Sequence, residues 1–95
     1  MIGQFAVSKA GHDKGALYVV VGREGDFVYL SDGRRKPPQK PKKKRLRHIQ
    51  PVNATVEGEL LHRLLEGGNV YGEEIRHALK RYCRSVEGPQ GRADN

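Results

Sequence analysis

The first third of the chain alternates short apolar runs with glycine-rich segments. Residues 5–7, 17–21 and 27–30 are rich in β-branched and aromatic side chains and each has the length of a single strand. The segments between them, 11–15 and 22–26, contain glycines and polar residues that favour turns. Short strands separated by such turns are typical of a small β-barrel or sandwich. The pattern therefore predicts a β-rich N-terminal half.

The last third has the periodicity of helices. A first apolar stripe follows i, i+1, i+4, i+5 spacing and consists of Leu60, Leu61, Leu64 and Leu65. We expect Asn53 or Thr55 to serve as the N-cap of this helix, and Gly67-Gly68 to end it. A short Gly-Gly-Asn loop then leads to the next helix, which suggests an antiparallel pair.

A second helix is predicted over about residues 72–84. Its inner face would carry Ile75, Ala78, Leu79 and Tyr82. We expect the apolar faces of both helices to pack on the β-structure or on each other; the alternative is a surface that docks another protein. Residues 86–95 have too little apolar content to order themselves, so a disordered tail is expected there.

The middle of the chain is dominated by proline and basic residues. Pro37, Pro38 and Pro41 fix φ and lack amide protons, so residues 36–41 are predicted to form an extended, exposed loop. Residues 42–50 can return to a strand, with Leu46 and Ile49 as apolar anchors and Pro51 as its end. Residues 34–48, called the basic arm below, would form a hairpin arm with a rigid tip.

The net charge of +7 is concentrated in this arm. Residues 1–33 contain three basic and four acidic residues, and residues 49–95 contain six basic and seven acidic ones, so each block sums to −1. Residues 34–48 contain nine basic residues and no acidic one. A concentrated cationic block attracts a polyanion. The alternatives are a solubilising loop or a nuclear-targeting run, which residues 42–45 resemble.

The arm contains no aromatic side chain, since none occurs between Tyr29 and Tyr71. Because unpaired bases are usually held by stacking on aromatic rings, the arm is expected to contact the backbone of a structured RNA without reading its sequence. Phe27 and Tyr29 alternate with Val28 and Leu30, so one of these two pairs should fill the core. An exposed stacking platform at Phe27 and Tyr29 is the less favoured alternative.

Several function classes are disfavoured. Cys83 is the only cysteine, which excludes an intramolecular disulfide, and the longest apolar run, residues 16–21, is too short to cross a membrane. A cytoplasmic monomer without a cofactor is expected.

Ser8, His12 and Asp13 lie too close in one turn to form a catalytic triad. The four histidines and Cys83 lack metal-ligand spacing, and Cys83 is expected to be a partly buried small apolar residue.

Residues 3–20 resemble a KOW motif, with a glycine before a strand, a glycine in the connecting loop, a Lys-Gly pair and a second apolar strand. Residues 8–15, together with the later Asp-Gly-Arg-Arg-Lys at 32–36 and the basic run at 40–48, are similar to the branch related to the large-subunit ribosomal protein L-fourteen-e. The resemblance covers about residues 3–53. It does not extend to the helical pair, which inherits no role from it.

The resemblance implies an SH3-like barrel of about five strands that binds ribosomal or other structured RNA and has no catalytic activity. With the residue pattern, it predicts a KOW barrel over residues 1–53, carrying the basic arm at 34–48, a helical pair packed on it over 54–85, and the tail at 86–95. RNA is the expected partner, and ribosomal proteins are possible further partners. The predicted RNA-binding residues are Lys9, Gly11, His12, Lys14, Arg34, Arg35, Lys36, Lys40, Lys42, Lys43, Lys44, Arg45, Arg47 and His48.

Two alternatives remain open for this set. In the loop of residues 9–15, called the KOW loop below, the polar side chains could simply face water around a well-formed turn. For the whole molecule, the alternative is a protein-interaction adaptor whose barrel docks on a transcription or translation component, with the arm as counter-charge for an acidic patch. An enzyme ranks behind both, because no acid–base or nucleophile constellation is present.

Overall fold

A computed structural model describes residues 1–86 of the chain. The sheet consists of β1 (Gln4–Ser8), β2 (Leu17–Glu24), β3 (Phe27–Ser31), β4 (Lys42–Arg45) and β5 (Ile49–Thr55), with a 3₁₀ turn at Leu46–His48, and it is followed by α1 (Gly58–Glu66) and α2 (Gly72–Val86). The predicted class, mostly β with two C-terminal helices, is confirmed. The predicted tail lies outside the described residues except for Val86, which is the last residue of α2.

The five strands form one antiparallel sheet in the order β4-β3-β2-β1-β5. The edge strands β4 and β5 are consecutive in the chain and are joined only by the 3₁₀ turn. This turn is held from both sides: Leu46 N donates to Asp26 O at 2.7 Å, and Lys9 N donates to His48 O at 2.8 Å. The sheet must therefore curl until its two edges meet at this end. Within residues 1–86 no ladder pairs β4 with β5.

Apolar side chains pack on both sides of the sheet. One core, called the inner core below, is formed by strand residues alone and consists of Ala6, Tyr18, Val20, Val28, Leu30 and Ile49. The second core joins the sheet to the helices and consists of Phe5, Val19, Val56, Leu64, Val70 and Ile75. Adjacent residues of β1 and of β2 belong to different cores, as the alternation of side chains along a strand requires. The rings of Phe5 and Tyr82 stack at 4.6 Å between centroids, so α2 packs directly on the outer side of β1.

The predicted long basic strand over residues 42–50 is wrong. The chain leaves β4 after Arg45, makes the 3₁₀ turn and then enters β5, which contains Pro51 as its third residue. Pro51 is tolerated because β5 is an edge strand, and an edge strand leaves one row of amide positions without a ladder partner. Proline therefore lies within β5 and does not terminate it.

The predicted N-cap of the first helix is also wrong. Asn53 and Thr55 lie in β5, so the sheet extends past the predicted domain boundary at residue 53. The helix begins at Gly58 with Glu57 in the N-cap position, and no side chain caps it. Its predicted end is confirmed: Gly67 has φ +75° and Gly68 N donates to Arg63 O at 2.8 Å.

Two smaller points concern the helical surface. Cys83 is exposed and not partly buried as expected. Neither helix has the length and apolarity needed to cross a membrane within the described part of the chain.

Candidate nucleic-acid interface

The start of the basic arm is a tight, internally bonded turn. The Asp32 carboxylate accepts the backbone amides of Arg34 and Lys36 at 2.8 and 2.9 Å. The Ser31 hydroxyl donates to Lys36 O at 2.8 Å and accepts the amide of Gly33 at 3.1 Å. With the backbone fixed in this way, the side chains of Arg34, Arg35 and Lys36 are exposed on a rigid turn.

The rest of the arm's loop is anchored to the helical pair. Gly33 lies so close to the start of α2 that a Cβ on it would meet Gly72 O, and Arg76 donates a guanidinium hydrogen bond to Gly33 O at 2.7 Å. Further along, Gln39 Nε2 donates to Val70 O at 2.7 Å. The prolines predict an extended, exposed loop here. In the structure this loop is held against α2 and the α1–α2 loop.

In β4 the four basic side chains alternate between the two faces of the sheet. Lys42 and Lys44 pair with Leu30 and Val28, whose side chains fill the inner core, while Lys43 and Arg45 pair with Tyr29 and Phe27 on the outer face. Directly paired residues of an antiparallel ladder lie on the same face. The run of four like charges therefore separates into an inward pair and an outward pair.

The inward pair converges on one carboxylate. Lys44 Nζ lies 2.7 Å from Asp13 Oδ1, and Lys42 Nζ lies 3.2 Å from Asp13 Oδ2. The hydroxyls of Tyr18 and Ser8 donate to the same carboxylate at 2.8 and 2.9 Å. The Lys44 side chain is only 9% exposed. Lys42 and Lys44 therefore neutralise Asp13 and tie the KOW loop to β4.

These contacts perturb the acidities of the cluster. Burial acts to raise the pKa of Asp13, but hydrogen bonds from Lys44, Tyr18, Ser8 and Lys42 outweigh it and hold that pKa well below its usual range. Burial and the hydrogen bond to Asp13 raise the pKa of Tyr18 far above that of a free phenol. Asp13 is thus a permanent anion and Tyr18 a permanent donor at any physiological pH.

The outward pair is held on an aromatic ring. Lys43 Nζ lies 4.5 Å, and Arg45 Cζ 4.9 Å, from the centroid of the Phe27 ring. Such cation–π contacts orient the two cations without neutralising them. Neither has a carboxylate oxygen within 4.0 Å among residues 1–86.

Either Phe27 and Tyr29 or Val28 and Leu30 were expected to fill the core. The structure places Val28 and Leu30 there, and Phe27 and Tyr29 are half-buried on the outer face. The aromatic side chains that the arm lacks are therefore supplied by its neighbouring strand β3. The sequence could not decide between the two alternatives, because both alternating pairs are apolar.

The KOW loop lies beside β4. Gly11 and Gly15 have φ of +88° and +92°, which other residues rarely adopt, and Lys44 Nζ donates to Ala10 O at 2.8 Å. Three polar side chains project from this loop and are exposed or nearly so: Lys9, His12 and Lys14. The structure thus brings together the two segments that were predicted separately.

The remaining predicted residues occupy the loop and the 3₁₀ turn. Lys40 and Arg47 are exposed, and His48 is half-buried, with its carbonyl oxygen bonded to the amide of Lys9. Within residues 1–86, seven of the nine basic side chains of the arm have no carboxylate partner, the two exceptions being Lys42 and Lys44.

Asp13 is the residue of the candidate site that the sequence pattern does not reveal. The sequence suggests only a triad with Ser8 and His12; Ser8 does bond to Asp13, but His12 is exposed and bonds to neither in the described residues. The available signal was its isolation, since it is the only acidic residue of the first 23. Its two lysine partners lie 29 and 31 residues away in sequence, which no local pattern specifies.

Comparison with known proteins does not place the chain in a family. No family model matches it, and a search of curated proteins returns no match. Within residues 1–86, no group of three or more His, Cys, Asp or Glu side chains is arranged to hold a metal ion.

Proposed function

We propose that this protein is a non-catalytic RNA-binding protein, ribosomal or ribosome-associated, built on an SH3-like KOW barrel. The strand order β4-β3-β2-β1-β5, the short 3₁₀ link between the two edge strands and the curl that it imposes support the barrel. The resemblance of residues 3–53 to the KOW family supports the RNA partner. A cytoplasmic location belongs to the same proposal.

The observation that carries the proposal is the placement of the four basic side chains of β4 on two different faces of the sheet. Lys42 and Lys44 form ion pairs with Asp13. Lys43 and Arg45 are held outward on the Phe27 ring, with no anion of the described chain beside them. A run of lysines that served solubility alone would need no such fixed placement. Cations held at fixed positions suit a structured RNA, whose phosphates also have fixed positions.

Other exposed basic side chains lack a carboxylate partner within residues 1–86. Arg34, Arg35 and Lys36 project from the bonded turn, and Lys9 and Lys14, with the exposed His12 between them, project from the KOW loop. Each cation that meets a phosphate releases condensed counterions, so affinity is expected to fall steeply with salt and to depend little on sequence.

The direct test is RNA binding by a Lys43→Gln/Arg45→Gln variant. At 150 mM salt we expect its affinity for a structured RNA hairpin to fall about tenfold, since two exposed ion pairs contribute up to about 1 kcal/mol each. A Lys80→Gln/Arg84→Gln variant is the matched control, because it removes the same charge from α2. Equal losses in both variants would show that only net charge matters.

The adaptor function is the second candidate, and one observation favours it. A cavity of about 630 Å³ opens between the edge strand β5 and α2, lined by Phe5, Leu60 and Tyr82, with three glutamates and Arg81 among its charged lining residues. This net acidic lining suits a protein partner better than it suits phosphate. Pull-down with and without complete nuclease digestion separates the two functions, because only protein-mediated partners survive the digestion.

A further inference from the structure

A second, smaller cavity lies where the arm, the sheet and the helical pair meet. Its volume is about 300 Å³, at the lower limit for a small-ligand pocket. It is lined by Val21, Gly22, Tyr29, Pro38, Gln39, Pro41, Leu64 and residues 67–70. None of these side chains is charged, although the cavity adjoins the most basic part of the molecule.

One wall of this cavity is an aromatic ring with a fixed orientation. The Tyr29 hydroxyl donates to Glu24 Oε1 at 2.6 Å, which holds the ring in place. Gly22 is its cross-strand neighbour, and a Cβ there would stand 3.4 Å from Tyr29 Cδ2. Gly22 therefore lies directly beside the ring, with no side chain between them. Pro38 and Pro41 add rigid apolar surface to the rim.

Two other lining residues offer hydrogen-bonding groups. Gln39 uses its Nε2 on Val70 O, so its Oε1 remains as an acceptor. The exposed Asn69 side chain makes no hydrogen bond within residues 1–86, which leaves both a donor and an acceptor. An aromatic ring and free amide groups around one cavity are the combination with which proteins hold an unpaired base.

The charges around the cavity favour a nucleotide over an apolar peptide. Lys43 pairs directly with Tyr29 across the β3–β4 ladder, and Lys40 stands between the lining residues Gln39 and Pro41. Both cations therefore belong to residues next to the cavity lining, with the Lys43 ammonium over the neighbouring Phe27 ring, and they supply positive charge near an uncharged cavity. The larger cavity beside β5 has a net acidic lining, with three glutamates and one arginine.

We propose that the cavity bounded by Tyr29, Pro38, Pro41 and the α1–α2 loop holds one unpaired base of a structured RNA, stacked on Tyr29, with Lys43 on the adjoining phosphate. This inference rests on the proposed RNA binding and adds the class of RNA: a helix interrupted by an extruded nucleotide. It also gives the helical pair a part in the interface, because residues 67–70 form one wall.

The test compares three RNA hairpins that differ at one position: a continuous helix, the same helix with a single bulged nucleotide, and the helix with an abasic residue at the bulge. We expect the full-length protein to bind the bulged RNA about 5- to 100-fold more tightly than the other two, the range that one base–aromatic stack provides. Because the abasic RNA keeps the bulge and its phosphates, this comparison isolates the base and needs no altered protein.

Variants then assign the effect to the cavity. Tyr29→Leu should bind the three hairpins equally, whereas Tyr29→Phe keeps the ring and should retain the preference. Asn69→Ala, at an exposed position, should weaken discrimination among the four bulged bases. Equal affinity of the unaltered protein for all three hairpins would contradict this inference and leave phosphate binding standing. No binding to any hairpin would contradict the proposed function itself.

Discussion

At the scale of single residues, the role of each cation depends on the face of the sheet to which it belongs. Lys43 and Lys44 are neighbours of the same type, yet one is held outward on Phe27 and the other is nearly buried against Asp13. A buried lysine requires a paired and hydrogen-bonded anion, because an uncompensated buried charge is strongly destabilising. Asp13 meets that requirement for Lys44, whereas Lys42 shares the same carboxylate and stays partly exposed.

Replacing Asp13 should therefore destabilise the fold. We expect Asp13→Asn to lower the free energy of unfolding by about 1–3 kcal/mol at pH 7, because Lys44 then lies buried without an anion. The measurement is urea denaturation, with Asp26→Asn, at an exposed turn position, as the control. An unchanged midpoint for Asp13→Asn would contradict the structural role of the cluster.

The lowered pKa of Asp13 predicts that the free energy of unfolding depends on pH. The folded pKa of Asp13 is depressed relative to its ordinary value of 3.8, so its stabilising contribution is fully present above that value and is lost as pH falls through the folded pKa. The difference in unfolding free energy between the unaltered protein and Asp13→Asn should accordingly shrink below about pH 4. A difference that stays constant from pH 7 to pH 3 would rule out this linkage.

At the scale of elements, the loop of the basic arm is fixed by its contact with α2. Gly33 has φ +75°, and a Cβ on it would approach Gly72 O to 2.3 Å and Arg76 N to 2.9 Å. Only glycine permits this approach of two backbones. The turn that presents Arg34 and Arg35 is therefore positioned by the helical pair as well as by the sheet.

Gly33→Ala should separate the loop from α2. We expect a destabilisation of about 2–4 kcal/mol, combining the left-handed conformation with the steric overlap. Gly15→Ala is the matched control, because Gly15 also has positive φ, +92°, but open space where its Cβ would lie; it should cost only about 1–2 kcal/mol. Equal losses for the two variants would mean that the contact with α2 contributes nothing.

The strands and helices were predictable where the signal is local. The β-branched runs of β2 and β3 and the glycines that end α1 specify those elements from the sequence alone. The errors fall where long-range packing decides: Pro51 is accepted because β5 lies at an edge, and Asn53 and Thr55 extend β5 because it pairs with β1. In the candidate site, the composition reveals the cationic segment. It does not reveal that Asp13 is the ion-pair partner of Lys42 and Lys44.

At the scale of the whole molecule, the sheet and the helices share one core. Phe5 and Val19 of the sheet pack with Leu64 and Ile75 of the helices. The helical pair is thus an integral part of the fold, although the family resemblance stops short of it.

Ile75→Ala should consequently weaken the entire molecule and not the helices alone. Ile75 is fully buried, so its truncation should lower the unfolding free energy by about 2–5 kcal/mol. Thermal unfolding followed by circular dichroism for the helices and by NMR amide signals for the sheet should give one shared, lowered midpoint. Loss of the helical signal before that of the sheet would show that the helices fold independently.

The central claim is that outward cations on a rigid scaffold meet RNA phosphates. The most direct measurement is the affinity of the full-length protein for a structured RNA hairpin between 50 and 300 mM salt. If about five of the nine basic side chains of the arm engage phosphates, the slope of log K against log salt should be about −3.5 to −4.5. A slope near zero, or no binding at 150 mM salt, would contradict the account.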